Sequence, residues 1–175
     1  MSRSNPWKQK PRSTRHTTLI VVEGDTEKVF VKHIVATFGR NCGTRVTIES
    51  AFGGSGDSIL THAIKMCPGF DRRAVLYDQD NPPTKKGIIH ESNKLGIQHL
   101  ISEPAIEGVL LSILGHTVPR QTKDCKRELA GRISNSITQI TTFQRYFPET
   151  LLKEQIKNVQ ILRELIAFLG ITPAI

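Results

Sequence analysis

The chain has 175 residues, 38% of them hydrophobic, and a net charge of +8. This length suits one domain with short appendages and supplies enough buried surface for a core without disulfide bonds. No apolar run approaches the roughly 20 residues needed to cross a bilayer, and none follows the basic N-terminus, so we expect neither a membrane span nor a secretory signal. The three cysteines form no CxxC pair, which argues against a disulfide framework or a zinc knuckle and predicts reduced thiols in the cytoplasm.

The N-terminal segment 1–16 is predicted to be a flexible basic arm. It carries five basic residues and no acidic one, so the rest of the chain carries only +3. A basic arm on a nearly neutral body is typical of proteins that bind phosphate-bearing partners. The same composition is equally typical of a disordered solubilising tail, and composition alone leaves both interpretations open.

Residues 17–115 alternate between strand and helix patterns. Short apolar runs predict strands, and apolar residues at helical spacing predict a helix after each strand. The predicted strands are 18–22, 45–50, 74–77 and 97–101, and the predicted helices that follow them are 29–38, 58–66, 85–95 and 104–114. Strands that alternate with helices form parallel sheets covered on both faces. We therefore predict an α/β domain with a Rossmann-like, four-stranded, mainly parallel sheet.

Residues 116–175 are predicted to form a helical extension that packs on the same domain. The stretch 123–142 is polar and has weak helical spacing, whereas 149–169 carries a strong apolar stripe and predicts one long helix. Packing onto the sheet is the simplest use of such a stripe. A contact between two copies of the chain, giving a homodimer, is the alternative.

Acidic residues gather at the ends of the predicted strands. Half of the 16 acids lie at or just past these ends: Glu23, Asp25, Glu27, Asp57, Asp78, Asp80, Glu103 and Glu107. The carboxyl ends of parallel strands meet at one edge of a sheet, where ligands bind. Two carboxylates about 6 Å apart repel by roughly 3 kcal/mol at an effective dielectric constant near 20. A hard divalent cation, Mg²⁺ above all, is therefore the expected partner.

Most of these acids also have a purely structural interpretation. Asp57 is in a position to cap the helix that follows it, and the acids of segment 23–27 favour a helix N-terminus electrostatically. The segment 78–80 precedes an Asn-Pro pair and fits a plain turn. Glu107 is harder to explain, because it interrupts a stretch of small and apolar residues.

Glycines and basic residues supply further candidates for phosphate binding. The glycine-rich segment 53–57 could direct backbone N–H groups at a phosphate, but it lacks the GK[ST] ending of a nucleotide P-loop, so we expect a flexible turn without ATP binding. Predicted contacts with nucleic-acid phosphates are Lys85, Lys86, Lys126 and Arg127. A solvated helix surface is the alternative for these four residues.

Three segments taken together resemble the Toprim domain, which is shared by topoisomerases, primases, RecR-type proteins, small RNA maturases and OLD-family nucleases. The segment 21–27 matches a strand-end glutamate followed by glycine, and 76–80 matches a DxD motif after a later strand. The segment 101–111, where a helix with a glutamate follows a proline, is similar to a third motif of the RloB-like branch. The resemblance covers about residues 17–115, and members of that branch are associated with prokaryotic defence and mobile elements.

The resemblance implies roles for the matching residues. Glu23 would be a general acid or base and a metal ligand, while Asp78 and Asp80 would hold Mg²⁺, with Mn²⁺ as an alternative ion. Glu27 and Glu107 would be additional ligands, and Glu107 would join the catalytic set. Since Glu23 must reach an ion held by Asp78 and Asp80, the first strand has to lie beside the third, and 2-1-3-4 is the simplest order that satisfies this.

The function that the resemblance implies is a Mg²⁺-dependent endonuclease for DNA or RNA, acting in prokaryotic anti-phage defence. The chain is too small for the strand-passage gate of a topoisomerase, and no template-binding module of a primase is evident. The alternative is a non-catalytic Toprim module that binds nucleic acid or acts as an adaptor for a separate ATPase partner. A phosphatase-like hydrolase is a weaker third reading, since Glu23 stands where such enzymes carry a nucleophilic aspartate.

Overall fold

The computed structural model describes residues 16–39, 43–66 and 68–171. Its strands are β1 (His16–Val22), β2 (Thr44–Ser50), β3 (Arg72–Asp78) and β4 (Ile97–Ser102). The helices between and after the strands are α1 (Asp25–Phe38), α2 (Gly56–Met66), α3 (Lys86–Lys94) and α4 (Ile106–Ile113). Four more helices complete the described chain: α5 (Thr122–Arg132), α6 (Ile140–Tyr146), α7 (Glu149–Gln155) and α8 (Gln160–Phe168). The predictions for the basic arm up to residue 15, and for Cys42 and Cys67, lie outside the described residues.

The four strands form one parallel sheet in the order β2-β1-β3-β4, which confirms the predicted fold class and strand order. Val22, the last residue of β1, pairs with Ser50 of β2 and with Leu76 of β3. The ladder continues one step further, because the Glu23 N–H donates to the Leu76 carbonyl at 3.1 Å. The carboxyl ends of the two central strands therefore lie side by side.

Helices cover both faces of the sheet. The apolar side chains of β1 and β3 are buried on both faces, which is why these strands read as continuous apolar runs. One face packs against α2 and α3, and the other packs against α1 and α4. The C-terminal helices join the core on the second face through buried residues such as Leu129, Phe143 and Leu162. Within the described residues no helix has both the length and the apolar character to cross a membrane.

The prediction of a single helix over 149–169 was wrong, because the stretch forms two helices, α7 and α8. The break falls at Asn158, whose side chain donates to the Gln155 side chain at 3.1 Å while its backbone N–H donates to the Gln155 carbonyl at 3.0 Å. Asparagine competes in this way with helical hydrogen bonding. The Arg163 guanidinium donates to the Lys157 carbonyl at 3.1 Å and compensates for one carbonyl left free at the break. Most of the apolar stripe is nevertheless buried within the chain, and Ile156 is half-buried.

Candidate functional site

Four carboxylates surround the carboxyl ends of β1 and β3, and we call Glu23, Glu27, Asp78 and Glu107 the carboxylate cluster. Glu23 follows β1 directly, and Asp78 is the last residue of β3. Glu27 and Glu107 lie in the first turns of α1 and α4, the helices that begin at this edge of the sheet. Glu27, Asp78 and Glu107 are only 5–7% exposed, whereas Glu23 is half-buried. The cluster thus joins acids from all three of the predicted motifs.

Asn81 fixes the Glu23 carboxylate. Its side-chain amide donates to Glu23 Oε1 at 2.9 Å and to the Gly54 carbonyl at 2.7 Å, while its Oδ1 accepts from the Gly56 N–H at 3.3 Å. The second oxygen of Glu23 accepts from the Asp78 N–H at 3.3 Å. Asn81 therefore ties the glycine-rich turn to the end of β1. No sequence pattern predicted this role, and its only signal was an amide side chain directly after the DxD motif.

Glycine at position 56 permits this close packing of loops. A Cβ on Gly56 would lie 2.4 Å from the Pro83 nitrogen and 2.5 Å from the Asn81 carbonyl oxygen. Both of these atoms belong to the backbone, so no side-chain movement could relieve the overlap. The glycine-rich segment is thus a packing element that holds the loop after β3 in place.

Asp78 connects the second motif to the third. Its Oδ1 accepts from the N–H of Ile106, the first residue of α4, at 2.9 Å. This hydrogen bond satisfies one of the free N–H groups at the start of that helix. It also fixes the position of α4, and with it Glu107, relative to the end of β3.

Glu27 folds back on the start of its own helix. Its Oε2 accepts from the Gly24 N–H at 3.0 Å, which is the side-chain half of a capping box. A Cβ on residue 24 would lie 3.2 Å from the same oxygen. The glycine after Glu23 therefore leaves room for the Glu27 carboxylate to turn toward the cluster.

Burial and mutual repulsion raise the proton affinity of the cluster. Burial, followed by the charges of Glu27, Glu23 and Glu107, raises the pKa of Asp78 to about 8. The pKa of Glu27 is also raised, first by burial and then by the charges of Glu23 and Glu107. Among the described residues, Glu107 Oε2 is buried and has no hydrogen-bond partner. The cluster is thus short of positive charge, and either a proton or a cation would satisfy it.

Asp80 stands apart from the cluster. β3 ends at Asp78, and a turn closed by the Asn81 N–H and the Asp78 carbonyl at 3.0 Å carries Asp80 away from the strand direction. The exposed Asp80 carboxylate accepts a hydrogen bond from the hydroxyl of Thr122, at the start of α5. Asp80 therefore does not continue β3, and the two carboxylates of the DxD motif do not lie on one side of the same strand. Its role as a metal ligand stays a prediction.

The cluster fits a divalent cation in its donor chemistry. All the side-chain atoms that the cluster could offer to a metal ion are carboxylate oxygens, which Mg²⁺ and Mn²⁺ prefer. The buried Glu107 Oε2 lacks a hydrogen-bond partner. In the described parts of the chain, however, no group of three or more His, Cys, Asp or Glu side chains is already arranged to hold a metal ion. Glu23, Glu27 and Asp78 each use carboxylate oxygens in the hydrogen bonds given above. Cation binding would therefore require some of these side chains to turn.

The remaining strand-end acids have other surroundings. Asp57 does not cap its own helix. Its carboxylate accepts from the Thr84 N–H and hydroxyl and from the Lys85 N–H, at 2.9–3.0 Å, and thereby secures the start of α3. These hydrogen bonds, that from Lys85 first, lower the pKa of Asp57. Asp25 and Glu103 are exposed at the surface.

The four predicted phosphate contacts lie on two helices at opposite faces of the sheet. Lys85 and Lys86 are exposed at the start of α3, and Lys126 and Arg127 are exposed on α5. Arg127 pairs with Asp124 at 2.9 Å, with its side chain 76% exposed. An exposed pair of this kind contributes little stability, so the guanidinium remains accessible to a phosphate.

Models of known protein families, curated proteins and solved structures were compared with the chain, and none of them matches it. The likeness of the three motifs to Toprim domains therefore stays a resemblance of sequence. The carboxylate cluster and its surroundings carry the functional inference.

Proposed function

We propose that the chain is a divalent-metal-dependent nuclease of the Toprim type and that the carboxylate cluster is its metal site. The observation that supports this most strongly is the burial of Glu27, Asp78 and Glu107 together, with the pKa of Asp78 raised to about 8. Burying like charges is costly unless a cation compensates them. A protein with a net charge of +8 that nevertheless concentrates acids at one sheet edge is typical of metal-dependent phosphodiester chemistry.

Each residue of the cluster has a distinct part in this proposal. Glu27, Asp78 and Glu107 would hold the ion, and Asp80 would join them if its turn opened. Bound Mg²⁺ or Mn²⁺ would polarise the phosphodiester and lower the pKa of a water molecule. Glu23 is less buried and accepts a hydrogen bond from Asn81. In this proposal its carboxylate would accept a proton from the attacking water or return one to the departing oxygen.

Basic groups would bring the nucleic acid to this acidic edge. Lys85, Lys86, Lys126 and Arg127 are exposed, and the N-terminal segment carries five further basic residues. Contacts of this kind bind phosphates without regard to sequence and weaken as salt is added. A cytoplasmic role in prokaryotic anti-phage defence rests on the resemblance to the RloB-like branch alone.

A nuclease assay tests the proposal directly. The purified chain is incubated with single-stranded and duplex DNA and RNA in the presence of Mg²⁺, Mn²⁺ or EDTA. We expect cleavage of at least one substrate with either metal ion and none with EDTA. If the chain bound nucleic acid but cleaved no substrate with either Mg²⁺ or Mn²⁺, the proposal would be contradicted.

A non-catalytic Toprim module is the second candidate. It is favoured by the finding that no group of three ligating side chains in the described chain is already arranged around one point. In such a module the acids would bind a proton instead of a metal ion and would serve to hold the loops at the sheet edge. A separate ATPase would then supply the activity, and the chain would bind nucleic acid equally well with Mg²⁺ and with EDTA.

A further inference from the structure

We infer that a cavity beside Glu107 receives one unpaired nucleobase, so that the preferred substrate is single-stranded nucleic acid or an unpaired loop. This inference rests on the proposed function and specifies its substrate class. The cavity has a volume of about 280 Å³ and lies between α5 and the segment that leads to α6. Its volume is just below the usual range of ligand pockets, which suits a single ring system better than a larger ligand.

The lining of the cavity has the character of a base-binding slot. Leu129 and Ile133 are buried and Ile137 is half-buried, and these three side chains give the cavity an apolar interior. Asn135 and Ser136 are exposed and place polar groups at the mouth. An apolar interior can accept the face of a base, and polar groups at the edge can bond its ring nitrogens or exocyclic groups.

The cavity adjoins the carboxylate cluster through Glu107. This side chain lines the cavity, is 7% exposed, and leaves its Oε2 without a hydrogen-bond partner in the described chain. A buried carboxylate oxygen without a partner is costly. In the metal-free protein, a turn of this carboxylate toward the cavity would let it accept from the N–H groups of a base. A base in the cavity would therefore hold its own sugar and phosphate close to the cluster.

A basic residue stands where the backbone of the nucleic acid would leave the cavity. Lys126 lies on the cavity rim and is exposed, so its ammonium group can reach a phosphate of a bound strand. The residue was predicted as a phosphate contact from the sequence, and its position beside an apolar slot explains how it would act. A lysine that contacts a phosphate does not distinguish paired from unpaired bases. The preference for an unpaired nucleotide would therefore come from the cavity.

The wall of the cavity is held in place before any ligand binds. The Ser134 hydroxyl bonds the Tyr146 hydroxyl at 3.1 Å, and the Thr142 hydroxyl donates to the Ser136 carbonyl at 2.7 Å. Both hydrogen bonds connect the segment after α5 to α6. A base inside a duplex is stacked and paired, so only an unpaired base could enter a cavity of this size.

Filling the cavity tests the inference. Ala130 lines it from an exposed position on α5, and Ala130→Leu would occupy the space with a residue that helices accept well. The matched control is Ala36→Leu, at an exposed position on α1 that does not line the cavity. Binding is measured by fluorescence anisotropy in EDTA, with a short single strand of DNA or RNA, the same strand in a duplex, and an abasic strand of equal length.

We expect the unaltered chain and Ala36→Leu to bind the single strand more tightly than the duplex or the abasic strand. Ala130→Leu should bind the single strand about 10-fold more weakly, equivalent to 1.4 kcal/mol and at the level of the abasic strand, because the added side chain occupies the space of the base. Equal binding of the single strand by the two variants would overturn the inference, and so would equal binding of the single and abasic strands by the unaltered chain.

The two proposals can fail separately. Binding in EDTA does not require cleavage. Base-dependent binding by a chain that cleaves nothing with Mg²⁺ or Mn²⁺ would therefore support base binding in the cavity and contradict the proposed nuclease activity. If Ala130→Leu left metal-dependent cleavage unchanged, the result would support the nuclease activity and contradict base binding in the cavity.

Discussion

Replacing Asp78 by asparagine is expected to stabilise the metal-free protein. Asparagine keeps an oxygen that can accept from the Ile106 N–H, but it removes a charge that burial and three neighbouring carboxylates oppose. We expect the free energy of unfolding at pH 8 to rise by on the order of 3 kcal/mol, and the melting temperature by roughly 10 °C. Thermal and urea unfolding in EDTA measure both quantities.

The same substitution should change how stability depends on pH. In the unfolded chain Asp78 releases its proton near its ordinary pKa of 3.8, whereas the folded protein retains the proton up to about pH 8. The folded state binds more protons between these values, so this group makes the unfolding free energy fall as the pH rises from about 4 to about 8. Asp78→Asn should remove that part of the slope.

Asp80→Asn is the matched control, because Asp80 is exposed and does not contribute to the raised pKa of Asp78. It should leave both the stability and its pH dependence close to those of the unaltered chain. If Asp78→Asn proved less stable than Asp80→Asn in EDTA at pH 8, the carboxylate cluster would not be under electrostatic strain.

The second large effect is expected at Glu23, where a change to glutamine should lower metal-dependent cleavage by roughly 10³-fold. Glutamine fits the same space and can still accept a hydrogen bond from Asn81, but its NH2 group replaces the oxygen that accepts from the Asp78 N–H, and it cannot exchange a proton at neutral pH. The fold should be retained, because Glu23 is half-buried and its main-chain hydrogen bond to Leu76 is unaffected. Initial cleavage rates at saturating Mn²⁺ measure the loss.

Glu91→Gln supplies the control for this experiment, since Glu91 is an exposed acid on α3 outside the cluster. Its cleavage rate should stay within about 2-fold of the unaltered rate, as expected for a surface residue without a role in the transition state. Equal cleavage rates for the Glu23 and Glu91 variants would exclude Glu23 from the chemistry.

The fold followed from local patterns that have few alternatives. Continuous apolar runs such as 18–22 must be buried on both faces, and their alternation with helical stretches requires a parallel sheet. The order 2-1-3-4 followed from a chemical requirement, namely that Glu23 should reach the end of β3. The hydrogen bond from the Asp78 N–H to Glu23 at 3.3 Å places Glu23 at the end of β3, whereas a cation shared with Asp78 stays a prediction.

What the sequence could not reveal depended on contacts between distant loops. Asn81 bonds groups 27 and 58 residues away, and no local pattern reports such partners. The position of Asp80 depended on where β3 ends, and one turn was enough to direct it toward Thr122. The break between α7 and α8 was hidden because the apolar stripe keeps its helical spacing across it.

Titration of Mn²⁺ into the metal-free protein tests most directly whether the buried acids form a cation site. Electron paramagnetic resonance of free Mn²⁺ at pH 8 gives the affinity for the unaltered chain and for Glu27→Gln, Asp78→Asn, Glu107→Gln and the control Glu91→Gln. We predict saturable binding that each of the three cluster substitutions weakens by at least about 10-fold, equivalent to 1.4 kcal/mol, and that the control leaves unchanged. The absence of saturable binding, or equal affinity in all these variants, would contradict the account.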